Sequence, residues 1–141
     1  MDYKSYRDAF FADPAPKARF ACVGAFGVTL YFEDFAAATN FYGRVFGPPA
    51  YVEDDDTRGW RIGEGWLTLL KGEGVTSRHV EVQLETTSSE EAERLQRAFI
   101  EAGGAGPAPS DQLMYEPIRS CPARDPFGVD WLIFSRRGAQ D

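Results

Sequence analysis

"HVEVQLETTSSEEAERLQRAFIEAGG", residues 79–104, sets a strand directly before a helix. In its first seven residues Val80, Val82 and Leu84 alternate with His79, Glu81, Gln83 and Glu85, the period-two pattern of a strand with one buried face. From Ser88 the spacing becomes helical. Ser88 and Glu91 stand in capping-box positions, and Gly103-Gly104 supplies the stop. The same order occurs earlier in the chain. "FGVTLYF" (26–32) is rich in β-branched and aromatic residues, as strands are. Asp34 then offers an N-cap for "FAAATNFYGRVFG" (35–47), whose Phe35, Ala38, Phe41, Tyr42 and Val45 recur at helical spacing.

Shorter strand candidates follow each pair. The first is trailed by "AYVED" (50–54), "RGWRIG" (58–63) and "WLTLLKG" (66–72), the second by "LMYEPIRSCPA" (113–123) and "VDWLIF" (129–134), which flank the turn "RDPFG" (124–128). The chain therefore reads strand, helix, strands, twice over. Neither half can close a core alone. The expected fold is α+β, one domain over 23–137 built from two βαβββ modules, about 23–73 and 77–137. Residues 1–22 form an extension. Tyr3, Tyr6 and Phe10 fall at helical spacing before "ADPAPK" breaks the pattern with two prolines. Its aromatic face has two readings, packing on the body or on a partner subunit.

Composition narrows the function classes. At 141 residues the chain suits one compact domain with a core that needs no staples. A net charge of −7 argues against nucleic acid and against an anionic membrane surface. "MDYKSYRDAFF" has neither the basic start nor the apolar centre of a secretion signal, and no apolar run approaches a membrane span, so a cytoplasmic protein is expected. Two cysteines, Cys22 and Cys121, are too few for a disulfide scaffold or zinc cluster. They read as reduced thiols, with a bridge between them left open.

"VTLYFEDFAAATNFYGRVFG" resembles the opening module of the vicinal oxygen chelate superfamily, which includes glyoxalases, bleomycin-resistance proteins and extradiol dioxygenases. "RHVEVQLET" with its helix ending in "AGG" is similar to the start of that family's second module, and "DPFGVDWLIF" to its closing turn and last strand. The resemblance covers about residues 25 to 135. It implies curved sheets forming a cup, helices on the outer face, a ligand held in the cup and a pocket commonly completed by a homodimer. Metal-dependent members take ligands from the first and last strands of each module. Here Gly27 stands where a His or Gln is expected, Leu132 where a glutamate is, and Lys71 or an apolar neighbour where another is. Only His79 matches. One imidazole falls short of the three or four protein ligands a zinc site needs, so no metal and no cofactor are expected.

On this reading His79, Glu81 and Gln83 face the cup, with Thr29 and Tyr31 from the first strand and Asp130 from the last. Trp60 and Trp66 have ambiguous facing and are more often core, with Trp60 kept as a ligand contact. Arg119 is set to meet an anionic group. These eight residues (His79, Glu81, Gln83, Thr29, Tyr31, Trp60, Arg119, Asp130) are the candidate ligand-binding set. The expected function is binding of a small, partly aromatic molecule in a metal-free cup, for sequestration or sensing. The alternatives are a metal-dependent lyase, isomerase or dioxygenase of the same superfamily, and a metal-free enzyme using His79 and Glu81 as acid and base.

Overall fold

The computed structural model describes residues 1–24 and 26–138. After helix α1 (Tyr3–Phe10), the first module comprises β1 (Val28–Phe32), α2 (Phe35–Phe46), β2 (Tyr51–Glu53), β3 (Thr57–Ile62) and β4 (Gly65–Lys71). The second repeats it with β5 (Glu81–Glu85), α3 (Ser89–Glu101), β6 (Ser110–Met114), β7 (Glu116–Arg124) and β8 (Asp130–Arg136). Each module forms a four-stranded mixed sheet. The strand orders, β1-β4-β3-β2 and β5-β8-β7-β6, are the same. In both, the first strand runs parallel to the last and the remaining pairs are antiparallel. This is the expected α+β fold of two βαβββ units. The single strand read over 113–123 is in fact two, because Tyr115 takes a left-handed φ of 66° and turns the chain between β6 and β7.

The caps act as the sequence suggests. Asp34 accepts from the Ala37 amide at 3.1 Å and Ser88 from the Glu91 amide at 3.1 Å. The two glycines after α3 have separate duties. Gly103 has φ 114°, and a Cβ on Gly104 would fall 2.4 Å from the Arg124 carbonyl oxygen.

One apolar core spans both modules. Leu30, Phe32, Trp60, Leu67 and Leu69 meet Phe35, Ala38, Phe41 and Tyr42 of α2, and Trp131 and Ile133 join Ala92 and Phe99 of α3 in the same cluster. The helices meet through Phe41 and Phe99, whose ring centroids are 5.7 Å apart. A buried polar relay crosses the same junction. The Trp131 indole donates to the Tyr42 hydroxyl (3.1 Å), which donates to Asp125 Oδ2 (2.7 Å). Asp125 Oδ1 accepts from the amides of Phe127 and Val129, at 2.8 and 2.9 Å. Every polar atom in this relay thus has a partner, as a buried network requires. Burial, reinforced by the charge of Asp125, pushes the Tyr42 hydroxyl far above its ordinary pKa.

The extension forms its helix, with none of its residues buried. It touches the body at Tyr115. The Tyr115 amide donates to the Tyr6 hydroxyl at 3.2 Å, and Phe11 meets the Tyr115 ring edge-on. Beyond it, Phe20, Val23 and Phe26 are 81%, 84% and 89% exposed.

Candidate functional site

A cleft of about 710 Å³ lies where the two sheets approach one another. One wall is the chain at Gly24, Phe26, Gly27 and Val28 with the β3–β4 turn from Ile62 to Leu67. The other is the whole of β5, with Trp131, Phe134 and Arg136 of β8. Gly65 shapes the first wall, because a Cβ there would lie 1.7 Å from the Phe26 carbonyl oxygen. Only glycine lets the two backbones run this close.

Among the described residues, the β5 wall is a strand edge without a backbone partner. Asp130 N donates to Val80 O and Thr86 N to Phe134 O, so the even-numbered residues turn their backbone groups to β8. The amides and carbonyls of Glu81, Gln83 and Glu85 point the other way, toward the cleft. The matching edge of β1 is closed. There the amide of Tyr31 donates to Ser77 Oγ (2.8 Å) and that of Glu33 to Thr76 Oγ1 (3.0 Å), while Ser77 N donates to Tyr31 O (2.6 Å).

The lining is aromatic and apolar, with few charges. Arg136 is held by Glu85 (3.0 Å) and Glu116 (3.1 Å). Among the described residues, Glu64 and Glu81 have no ion-pair partner. Trp66 is the partly exposed indole of the site, at 37%. It lies across Gly59, where a Cβ would come within 3.2 Å of its ring, and the Arg61 guanidinium sits 5.1 Å from the ring centroid. Tyr51 flanks Gly59 on the same face.

Of the candidate residues, Glu81 and Gln83 line the cleft. Thr29 and Tyr31 are exposed on the sheet face away from α2, outside the cleft lining. His79 departs from the expected alternation. It lies two residues before β5, is exposed, and has φ 58°. The chain first seals the β1 edge with Thr76 and Ser77, and the left-handed turn at His79 then re-aims it into β5. An acid–base pair with Glu81 requires the two on one extended face, which this turn interrupts.

Trp60 belongs to the core instead of the cup. It is 2% exposed, opposite Leu67, and its indole donates to the Gly47 carbonyl at 2.8 Å. Arg119 is engaged by Asp111 (3.0 Å) and Glu93 (3.3 Å) on the α3 side of the second sheet, away from the cleft. Asp130 holds Arg124 at 2.7 Å and also lies outside the lining. Phe26, Ile62, Glu64 and Arg136 also line the cleft and are not among the candidates, and Phe134, which shares the parity of Asp130 on the last strand, joins them. Their signal was the parity of Leu67 and Leu69, which turns Trp66 away from the core, and that of Trp131 and Ile133, which does the same for Phe134.

The donor set does not fit the superfamily's metal. Gly27 and Leu132 offer no donor atom, Lys71 is a cation, and His79 is off the strand. Among the described residues no three His, Cys, Asp or Glu side chains converge on a point. Cys22 is exposed and Cys121 buried, with both thiols free. Burial, aided by the charge of Glu93, raises the Cys121 pKa and leaves it a poor nucleophile. Among the described residues no helix is long and apolar enough to cross a membrane.

The architecture has many solved counterparts. A glyoxalase/bleomycin resistance protein from Albidiferax ferrireducens superimposes with a TM-score of 0.66 at 19% identity, covering 78% of this chain and 97% of its own. An integron cassette protein from V. cholerae gives 0.65 at 16%, covering 84% and 98%. A glyoxalase/bleomycin resistance protein/dioxygenase family enzyme from Burkholderia phytofirmans gives 0.63 at 17%, covering 79% and 97%. At these identities the likeness is one of fold. No curated protein matches the sequence. The family model of the Glyoxalase/Bleomycin resistance protein/Dioxygenase superfamily matches residues 25–133. With most of the chain so matched, the protein belongs to the glyoxalase/bleomycin resistance protein/dioxygenase superfamily.

Proposed function

We propose that the chain binds a small, partly aromatic molecule in the inter-sheet cleft, without a metal, in a sequestering or sensing role, and that it works as a cytoplasmic homodimer. The carrying observation is the cleft itself. Its volume of about 710 Å³ lies within the roughly 300–1,000 Å³ of small-molecule sites. Its walls of Phe26, Val28, Ile62, Trp66, Leu84 and Phe134, with Glu64, Glu81 and Gln83 as the polar handles, have the composition of such a site. A flat ligand would rest against Trp66 and Phe26, and Glu81 with Gln83 would orient its polar edge.

Trp66 makes the test direct, since Trp60 and Trp131 are both 2% exposed. An aromatic compound library is titrated while tryptophan emission is followed. A binder should quench emission in the wild type, with the change lost in Trp66→Phe. In Glu81→Ala, affinity should fall while the melting temperature holds. A large loss of melting temperature with unchanged affinity would overturn the role of Glu81. Because Trp131 also lines the cleft, quenching that both Trp66→Phe and Glu81→Ala leave unchanged would remove the cleft from the reading.

A further inference from the structure

The charges around the cleft do not cancel. Its ionisable lining is Glu64, Glu81, Glu85 and Arg136. Arg136 is committed already, lying 3.0 Å from Glu85 and 3.1 Å from Glu116, and two carboxylates on one guanidinium leave that corner negative. Glu64 and Glu81 have no ion-pair partner among the described residues. They stand on opposite walls, Glu64 in the β3–β4 turn and Glu81 at the head of β5, so the space between them is the cleft itself and not a shared acidic surface. Trp66, in the same lining, already takes a cation. Arg61, outside the lining, sets its guanidinium 5.1 Å from the ring centroid. Even with Arg61 counted, the carboxylates of Glu64, Glu81, Glu85 and Glu116 outnumber the guanidiniums of Arg61 and Arg136.

We infer that the ligand of the cleft is a cation, a flat aromatic molecule bearing a protonated amine or amidinium group whose charge is held by Glu64 and Glu81. This rests on the small-molecule reading above and names the ligand's charge, which that reading leaves open. An ammonium group carries only donors, and the cleft meets it with acceptors. These are the two unpaired carboxylates and the carbonyls that Glu81 and Gln83 turn away from β8. The ring faces of Phe26, Trp66 and Phe134 favour a positively charged guest over a neutral one. An anionic ligand meets the reverse. It would lie against two unpaired carboxylates and would have to draw Arg136 from Glu85 and Glu116. A neutral aromatic could fill the same volume, but it would strip water from carboxylates without giving them a partner, which costs free energy. The net charge of −7 acts in the same sense at longer range, drawing cations toward the molecule.

Probes of one shape and different charge separate charge from fit. Naphthylmethylammonium, naphthylmethanol and naphthoate are each titrated into the isotope-labelled full chain, and the amide and indole resonances are followed by NMR. The ammonium should move the Trp66 indole and the β5 amides. It should bind roughly tenfold or more tighter than the alcohol, the size of one charge-assisted hydrogen bond, with naphthoate the weakest. Added salt should weaken the ammonium without weakening the alcohol. In the Glu64→Gln/Glu81→Gln double variant the preference for the ammonium over the alcohol should disappear, and since both side chains are exposed the fold should hold. Alcohol or naphthoate bound in the cleft as tightly as the ammonium would overturn the cationic ligand and leave the small-molecule reading standing. A preference that survives the double variant would overturn the assignment to these two carboxylates. No shift at the cleft with any of the probes would remove both readings.

Discussion

β1 and β5 hold the same place in their modules and have opposite fates. β1 buries Leu30 and Phe32 at 1% and 0% exposure, and its outer edge is sealed by Thr76 and Ser77. β5 buries none of its five residues, and among the described residues its outer edge has no backbone partner. Equal topology therefore does not give equal work. The chain spends its inter-module segment on closing the first edge, and the second is left as the wall of a cleft. An exposed strand edge is a liability that proteins blunt with charge, and Glu81 and Glu85 serve that end whatever else they do.

The junction that both modules share should be the most sensitive point. Asp125→Ala strands the Tyr42 hydroxyl, the buried Val129 amide and the part-buried Phe127 amide, and should cost about 3–5 kcal/mol, seen as one cooperative transition at lower denaturant. Two transitions would mean that the modules unfold separately. Next comes the contrast itself. Leu30→Ala should cost about 2–5 kcal/mol and Leu84→Ala under about 1.5 kcal/mol, because Leu84 is already half wet. Equal losses in chemical denaturation would erase the distinction between the strands.

Smaller effects probe the seal and the relay. Thr76→Val or Ser77→Ala should each cost roughly 1 kcal/mol and raise amide exchange at Glu33 or Tyr31 respectively. The Tyr42 hydroxyl is held neutral in the fold, so its contribution is intact below about pH 10 and is lost as pH climbs beyond that, where the unfolded phenol ionises. Stability measured from pH 9 to 11.5 should therefore fall more steeply in wild type than in Tyr42→Phe. His79→Ala should change stability by no more than about 0.5 kcal/mol and leave ligand quenching of Trp66 unaltered. A tenfold loss of affinity would return His79 to the site.

Much of this fold was legible because its signals are local. Asp34 and Ser88 cap helices within four residues, and the alternation of Val82 and Leu84 needs no distant partner. The site was less legible because its geometry is set by remote contacts. His79 leaves the strand because Ser77 bonds to Tyr31, 46 positions away. Trp60 and Trp66 differ in facing through a register fixed by Trp60 lying opposite Leu67, which spacing alone could not supply. Arg119 looked available until the fold brought Glu93 across from α3.

The Tyr42–Asp125 bond joins atoms 83 positions apart in the sequence, with the exposed loop at Gly74 between them. Cutting the chain there would put the hydroxyl on one fragment and its acceptor, together with the Trp131 donor, on the other. Each fragment would then expose a polar group and an aromatic surface that only its complement can satisfy. Such mutual dependence is the property wanted in a split reporter, in which two separately produced halves regain a signal only on meeting. The same junction that makes the modules inseparable in one chain would make them recognise each other as two.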